Sequence, residues 1–228
     1  RDDVESRGLG DVYKRQILSK DEIEEVLIER HTLPIHRKLR NAGAAIAGLG
    51  GLGSHVAVML ARTGIGSLHL IDFDRVEPSN LNRQIYRMKH LGRYKTEALK
   101  EEISEINPYI SVRTDTVKVT ADNIDRLFRD DKIICEAFDR AENKAMLVNY
   151  LLEHRPDTFI VSGSGMAGYG SSNSIHTERR MKNLYLCGDG ISDIASGMSL
   201  TAPRVTLCAA HQANMIPVSY THLTLPTN

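Results

Sequence analysis

Asn80, Arg83, Gln84 and Lys95 gather amide and cationic donors just after two carboxylates, Asp72 and Asp74. A further carboxylate, Asp139, stands in Ala137-Phe138-Asp139-Arg140. Donors of these types suit a triphosphate, because splitting one requires positive charge aimed at the negative charge that builds on the phosphates during transfer. Asp72 is placed to accept hydrogen bonds from a ribose. Asp139 could hold Mg2+, which takes one or two carboxylates and completes its shell with substrate oxygens. Upstream, Gly48-Leu49-Gly50-Gly51-Leu52-Gly53 has the spacing of a phosphate-binding turn. Its Gly48, Gly50, Gly51 and Gly53 would give a tight bend, close approach of backbone to phosphate, and close packing of the next helix on the strand. That turn alone would serve a dehydrogenase, a flavoprotein or a methyltransferase equally well. The run from Asp72 to Gln84 narrows the choice to phosphate chemistry.

These residues need a scaffold, and the hydrophobic pattern supplies one. Residues 44–49 read as a buried strand and 52–62 as a helix with Val56, Met59 and Leu60 on one face. Residues 67–72 read as a second strand. A helix is predicted over 95–106, an alternating strand over 110–119, a short helix over 124–128, a buried strand over 133–138, a helix over 141–152 and a strand over 158–161. Such alternation predicts an α/β, Rossmann-like, doubly wound and mostly parallel sheet, in which ligands lie at the carboxyl ends of the strands. The polar clusters fall at those ends. An amphipathic helix over 21–29 precedes this unit. After Ser162 the chain becomes rich in Gly and Ser, with short antiparallel strands predicted at 174–177 and 183–186, a loop over 198–203 and a last helix over 205–216.

Lys plus Arg and Asp plus Glu balance at 29 each, so bulk charge gives no sign of a nucleic-acid or membrane surface. Cys135, Cys187 and Cys208 form no CxxC pair, which fits a reducing, cytoplasmic setting. No apolar stretch approaches the roughly 20 residues of a membrane span. The strings DVYKRQ at 11–16 and VSYTHL at 218–223 are readable from opposite strands of one short DNA. Residues 1–16 and 217–228 are therefore expected to be adapter-derived flanks around a single domain over 17–216.

GLGGLG, DFDRVEPSNLNRQ, the helix opened by Lys95, Ile106-Asn107-Pro108 and the Ala-Phe-Asp at Asp139 resemble the ThiF/MoeB/HesA family of ubiquitin-activating-like adenylyltransferases. The resemblance runs from about Ala44 to Ile216. GMAGYGSSN at 165–173 and the APRV segment at 202–205 are similar to short ThiF-type proteins associated with thiamine synthesis. The resemblance implies adenylation of the C-terminal glycine carboxylate of a small ubiquitin-like sulfur carrier, ThiS, with ATP and Mg2+ and release of pyrophosphate, in a homodimer. By the family pattern Asp72 holds ribose, Asn80, Arg83 and Lys95 hold phosphates, Gln84 supports them and Asp139 binds the metal. Arg30 is the candidate for an arginine that reaches the triphosphate in relatives, often across a dimer interface. Cys187 is the candidate for a loop nucleophile acting on the activated carrier.

The chain departs from many relatives in lacking the paired CxxC motifs of a structural zinc site. His55, His69, His176 and His211 show no metal spacing and are read as structural. Three other readings remain open. Adenylation could be directed to a molybdopterin (MoaD-type) carrier or a modified tRNA base. A NAD(P)-dependent oxidoreductase would use the glycine turn and Asp72 but leave Asn80, Arg83, Lys95 and Asp139 without a role. A non-catalytic carrier-binding module would need none of these polar residues.

Overall fold

A computed structural model describes residues 18–193 and 197–221. The predicted flank over 1–16 lies outside the described residues, as do 222–228 of the second. The elements follow the order α1 (Lys20–His31), α2 (Leu33–Arg40), β1 (Gly43–Ala47), α3 (Gly51–Arg62), β2 (Ser67–Ile71), α4 (Lys95–Ile106), β3 (Ser111–Asp115), α5 (Ile124–Leu127), β4 (Ile133–Glu136), α6 (Ala141–His154), β5 (Phe159–Gly163), β6 (His176–Arg179), β7 (Leu184–Gly188) and α7 (Ala202–Thr221).

The strands form one sheet in the order β3-β2-β1-β4-β5-β7-β6. Every neighbouring pair is parallel except β6 with β7. Both late strands were expected to oppose the sheet. Instead β7 slots in parallel beside β5, and β6 alone runs against it as a hairpin partner on the edge.

The period of two along each strand sorts side chains between two apolar layers. Ala44, Ile46, Leu68, Leu70, Ile133 and Cys135 face the layer containing α3, α4 and α7. Ala45, Ala47, Ile71 and Ile134 face Ile124, Phe128, Leu147 and Leu151 of the α5 and α6 side. Strands covered on both faces must be apolar throughout, as in Gly43–Ala47. The edge strand β3 is not so covered and reads Ser-Val-Arg-Thr-Asp.

β3 ends at Asp115, short of the predicted 119, because the chain leaves the sheet to line a cleft with Val117, Lys118 and Val119. α2 was not predicted. Its Pro34 falls in the first turn, where proline lacks only an N–H that has no helical partner anyway. α7 begins three residues earlier and ends five residues later than the predicted 205–216. Its last turn includes Tyr220, whose hydroxyl donates to the Gly43 carbonyl at 2.7 Å. His69 on β2 is buried between the carboxylates of Asp115 and Asp131 at 2.8 and 2.7 Å, which ties the α5 region to the strand edge.

Candidate functional site

The strand order reverses between β1 and β4, and a cleft of about 850 Å³ opens there at the carboxyl ends. One wall begins with the glycine turn. Gly48 has φ of +92°, and a Cβ on Gly53 would lie 1.8 Å from the Gly48 carbonyl oxygen, so only glycine lets α3 rise this close to β1. No side chain caps the start of α3. Its first N–H groups and positive dipole end are therefore free for an anion.

Asp72, just past β2, fixes that turn. Its carboxylate accepts from the Leu49 N–H at 2.6 Å and from the Asp74 N–H at 2.8 Å. Each oxygen keeps acceptor capacity for a ribose hydroxyl. Burial pushes the carboxyl up from its ordinary value, against the pull of Lys95 and these two N–H donors. Tyr86 donates its hydroxyl to the Leu49 carbonyl at 2.8 Å, so the same residue is held through both its N–H and its carbonyl.

The polar run is bound to the start of α4 by a short antiparallel clamp. The Val76 N–H donates to Arg93 O at 2.9 Å, the Lys95 N–H to Asp74 O at 3.0 Å, and the Arg75 guanidinium stacks 3.8 Å over the Tyr94 ring. The clamp sets the buried Lys95 ammonium 2.9 Å from Asp74. A 3-10 turn over Pro78–Asn80 follows, with the Asn80 carboxamide oxygen accepting from the Glu77 N–H at 3.1 Å. The Arg83 guanidinium donates to Ser79 O at 3.1 Å and to the Asn82 side chain at 2.9 Å. His55 of α3 donates from Nε2 to the Arg83 carbonyl at 3.2 Å, and burial pushes this imidazole down, toward the neutral form. The buried Gln84 has its Oε1 unpartnered among protein atoms.

Of the predicted residues, Gly48, Gly50, Gly51, Asp72, Asp74, Asn80, Arg83, Gln84, Lys95 and Asp139 line this one cleft. Gly53 does not. It acts within the first turn of α3 as the packing glycine. Arg30 is not brought to the cleft. α1 packs on Leu27 against Gly64 and beside Gly66 and Tyr109, at the amino ends of β2 and β3. A contribution from Arg30 would therefore come from a second copy of the chain. Cys187 is not brought there either. It is 0% exposed inside β7, not in a loop, and burial pushes its thiol up to about 11 against a weak contact to Thr177. Cys187→Ala is expected to keep nucleotide turnover within about twofold of wild type, as a buried neutral thiol has no part in nucleophilic chemistry. A larger loss in a folded variant, or rapid alkylation of the native chain by iodoacetamide, would reverse this placement.

The second half of the cleft was not predicted. Its lining comes from Lys144 of α6, from Ser164 to Ala167 after β5, and from Gly190 to Asp193 after β7. Beneath it Glu136, 0% exposed, accepts from the Phe138 N–H at 2.7 Å, the Ser162 hydroxyl at 2.5 Å and the Lys144 ammonium at 2.5 Å. These bonds hold the turn that carries Asp139. A signal existed in the sequence: a glutamate ending the apolar run Ile133-Ile134-Cys135 needs a buried partner.

Among the described residues no cluster of His, Cys, Asp and Glu forms a complete metal cage. The cleft nevertheless suits an ion that brings its own phosphate ligands. Asp139 is exposed in the cleft and a single carboxylate meets magnesium's requirement.

The ThiF family model matches residues 13–214. A tRNA threonylcarbamoyladenosine dehydratase of Haemophilus influenzae is 35% identical over 130 residues, which are 56% of this chain and 50% of that protein. A ubiquitin-like modifier-activating enzyme 5 of Dictyostelium discoideum is 42% identical over 85 residues, 37% of this chain and 22% of that one. The crystal structure of Escherichia coli tRNA N6-threonylcarbamoyladenosine dehydratase, TcdA, in complex with ATP superimposes with a TM-score of 0.79 at 22% identity. That match covers 90% of this chain and 97% of the other. The chain thus spans half or less of the length of the two relatives matched by sequence.

Proposed function

The chain belongs to the ThiF family, and on that premise we propose that its cleft converts a carboxylate and ATP into an acyl adenylate and pyrophosphate. One observation carries this reading: Asn80, Arg83, Lys95 and Asp139 share a single cleft with the glycine turn and Asp72. A redox enzyme on the same turn would have no use for that cationic set. A carboxylate oxygen attacks the α-phosphorus, the bond from that phosphorus to the bridging oxygen breaks, and pyrophosphate leaves with the electron pair. The α3 N-terminus and the Asn80, Arg83 and Lys95 donors meet the charge that gathers on the phosphate oxygens. Asp72 orients the ribose. Asp139 would hold magnesium, which would supply further charge neutralisation at the phosphates.

The favoured acceptor is the carboxylate of a threonylcarbamoyl group on a tRNA adenosine. The Haemophilus relative is named for that substrate, and neither sequence relative is named for ThiS or thiamine. A balanced count of 29 charges of each sign argues against a globally basic surface. It does not bar one modified nucleotide from entering the cleft, so the expectation of no nucleic-acid partner is revised here. A second reading, the C-terminal glycine of a ubiquitin-like carrier, draws support from the Dictyostelium relative. It also draws on Phe73 and Ile191, which line the cleft while 50% and 88% exposed, as an apolar rim for a protein partner would be.

ATP–pyrophosphate exchange tests both. Exchange that starts on adding threonylcarbamoyl-modified tRNA supports the first acceptor, and exchange that starts on adding a carrier with a Gly-Gly tail supports the second. Absence of exchange with either, in a chain that binds ATP, would refute adenylation of these acceptors.

A further inference from the structure

Arg204, in the first turn of α7, is buried at 6% side-chain exposure, and its guanidinium reaches four separate oxygens. Nε donates to Ala167 O at 3.1 Å and Nη1 to Ser171 O at 3.1 Å. Nη2 donates to the Ser174 hydroxyl at 3.1 Å and to the Asp189 carboxylate at 2.5 Å. Asp189, 5% exposed, passes the connection on. Its other oxygen accepts from the N–H groups of Ile191 at 3.0 Å and Ser192 at 2.8 Å. The Ser192 hydroxyl in turn accepts from the Ala167 N–H at 3.0 Å. One fork thus joins the loop after β5 to the loop after β7.

Those loops form the half of the cleft away from the nucleotide residues, with Ser164 to Ala167 on one strand end and Gly190 to Asp193 on the next. Their packing leaves no slack. A Cβ on Gly165, which has φ of +79°, would fall 2.1 Å from an Asp189 oxygen, and one on Gly170 would touch the guanidinium at 3.2 Å.

Stability alone does not account for this ion pair. A cation in the first turn of a helix opposes the helix dipole. Buried ion pairs are often no better for stability than apolar side chains of equal volume. What the pair supplies is a fixed geometry, since a planar guanidinium directs donors along several set directions where an ammonium cannot.

Resting on the adenylation reading, we infer that Arg204 is the positioning residue of the acceptor half of the cleft: through Asp189 it fixes the two loops against which the acyl group lies, and so sets acceptor affinity without touching the nucleotide.

The test uses the full chain carrying Arg204→Lys, which keeps the charge beside Asp189, and Asp189→Asn as an independent disruption. Amide hydrogen exchange at Ala167, Ile191 and Ser192 is expected to quicken by about 10-fold, the order set by losing one net hydrogen bond. Exchange at Leu49 and Asp74 should stay unchanged, and the Kd for ATP should stay within about twofold. Acceptor kcat/KM, measured with whichever acceptor supports pyrophosphate exchange, should fall about 100-fold, chiefly through KM, the scale expected for an ångström of misplacement. Unchanged protection at Ala167 and Ser192, or an ATP Kd that weakens as far as the acceptor KM, would overturn the inference. A wild-type chain that binds ATP but exchanges pyrophosphate with neither acceptor would fail the proposed reaction instead. The amide-exchange and ATP-binding results would still decide whether Arg204 holds this wall independently of the nucleotide side.

Discussion

Arg83→Ala is expected to lower ATP–pyrophosphate exchange by about 100- to 1000-fold, the usual loss when one preorganised donor to transition-state charge is removed. Its thermodynamic stability should stay within about 0.5 kcal/mol of wild type. The two expectations separate because of where Arg83 sits. Its guanidinium is partly exposed, bound to the Ser79 carbonyl and the Asn82 side chain, and anchors no buried partner. Bonds of that kind add little to folding. In the cleft the aliphatic stem of the same side chain lies beside Gly51 at the open start of α3, a helix end whose partial positive charge favours the same anion as the guanidinium. Arg83→Lys should recover only part of the loss, since an ammonium lacks the planar fork. Near-wild-type exchange in Arg83→Ala would remove Arg83 from the reaction. A stability loss as large as the kinetic one would make its role structural.

Lys144→Met is expected to cost about 3 kcal/mol of stability, within the range found when one partner of a buried pair is removed and the other is left charged. Glu136 makes this severe. Its carboxylate has no exposure to water, and the Phe138 N–H and Ser162 hydroxyl that remain cannot replace a full positive charge. Because the Lys144 side chain is itself 25% exposed, the low end of the range applies. Glu136→Gln in the same chain should restore most of the loss, and urea denaturation of both single variants and the double variant forms the required cycle. A Lys144→Met chain within about 1 kcal/mol of wild type would mean that Glu136 does not depend on this ammonium.

The nucleotide half of the cleft was legible because its determinants are contiguous. From Asp72 to Gln84 the clamp, the 3-10 turn and the donors lie within one stretch, and Lys95 opens the next helix. The parallel sheet was legible for a similar reason, since the period of apolar residues needs no knowledge of distant partners. Residues whose roles depend on register between distant segments were not legible. Arg204 reaches Ala167 and Asp189 only once α7 lies across the ends of β5 and β7. Gln212 of the same helix donates to the Glu136 carbonyl 76 positions away. Tyr86 and His55 carry no local signal of their roles, although one holds Leu49 and the other the Arg83 carbonyl. In sequence Cys187 looks like a loop residue, because glycine and aspartate follow it. The pairing of β7 with β5 on one side and β6 on the other instead encloses it.

The burial of all three thiols bears on what becomes of an activated acyl group. Cys135, Cys187 and Cys208 are the only cysteines of the chain, each is buried, and burial pushes Cys208 up to about 12. Enclosed in the core, none is placed to attack a mixed anhydride, displace AMP and form a thioester. On the proposed reaction, these three thiols leave the acyl adenylate to pass directly to a nucleophile from elsewhere, such as the acceptor itself. Until it does, on the proposed reaction it would lie between the loops around Ser164 and Gly190, which line that half of the cleft.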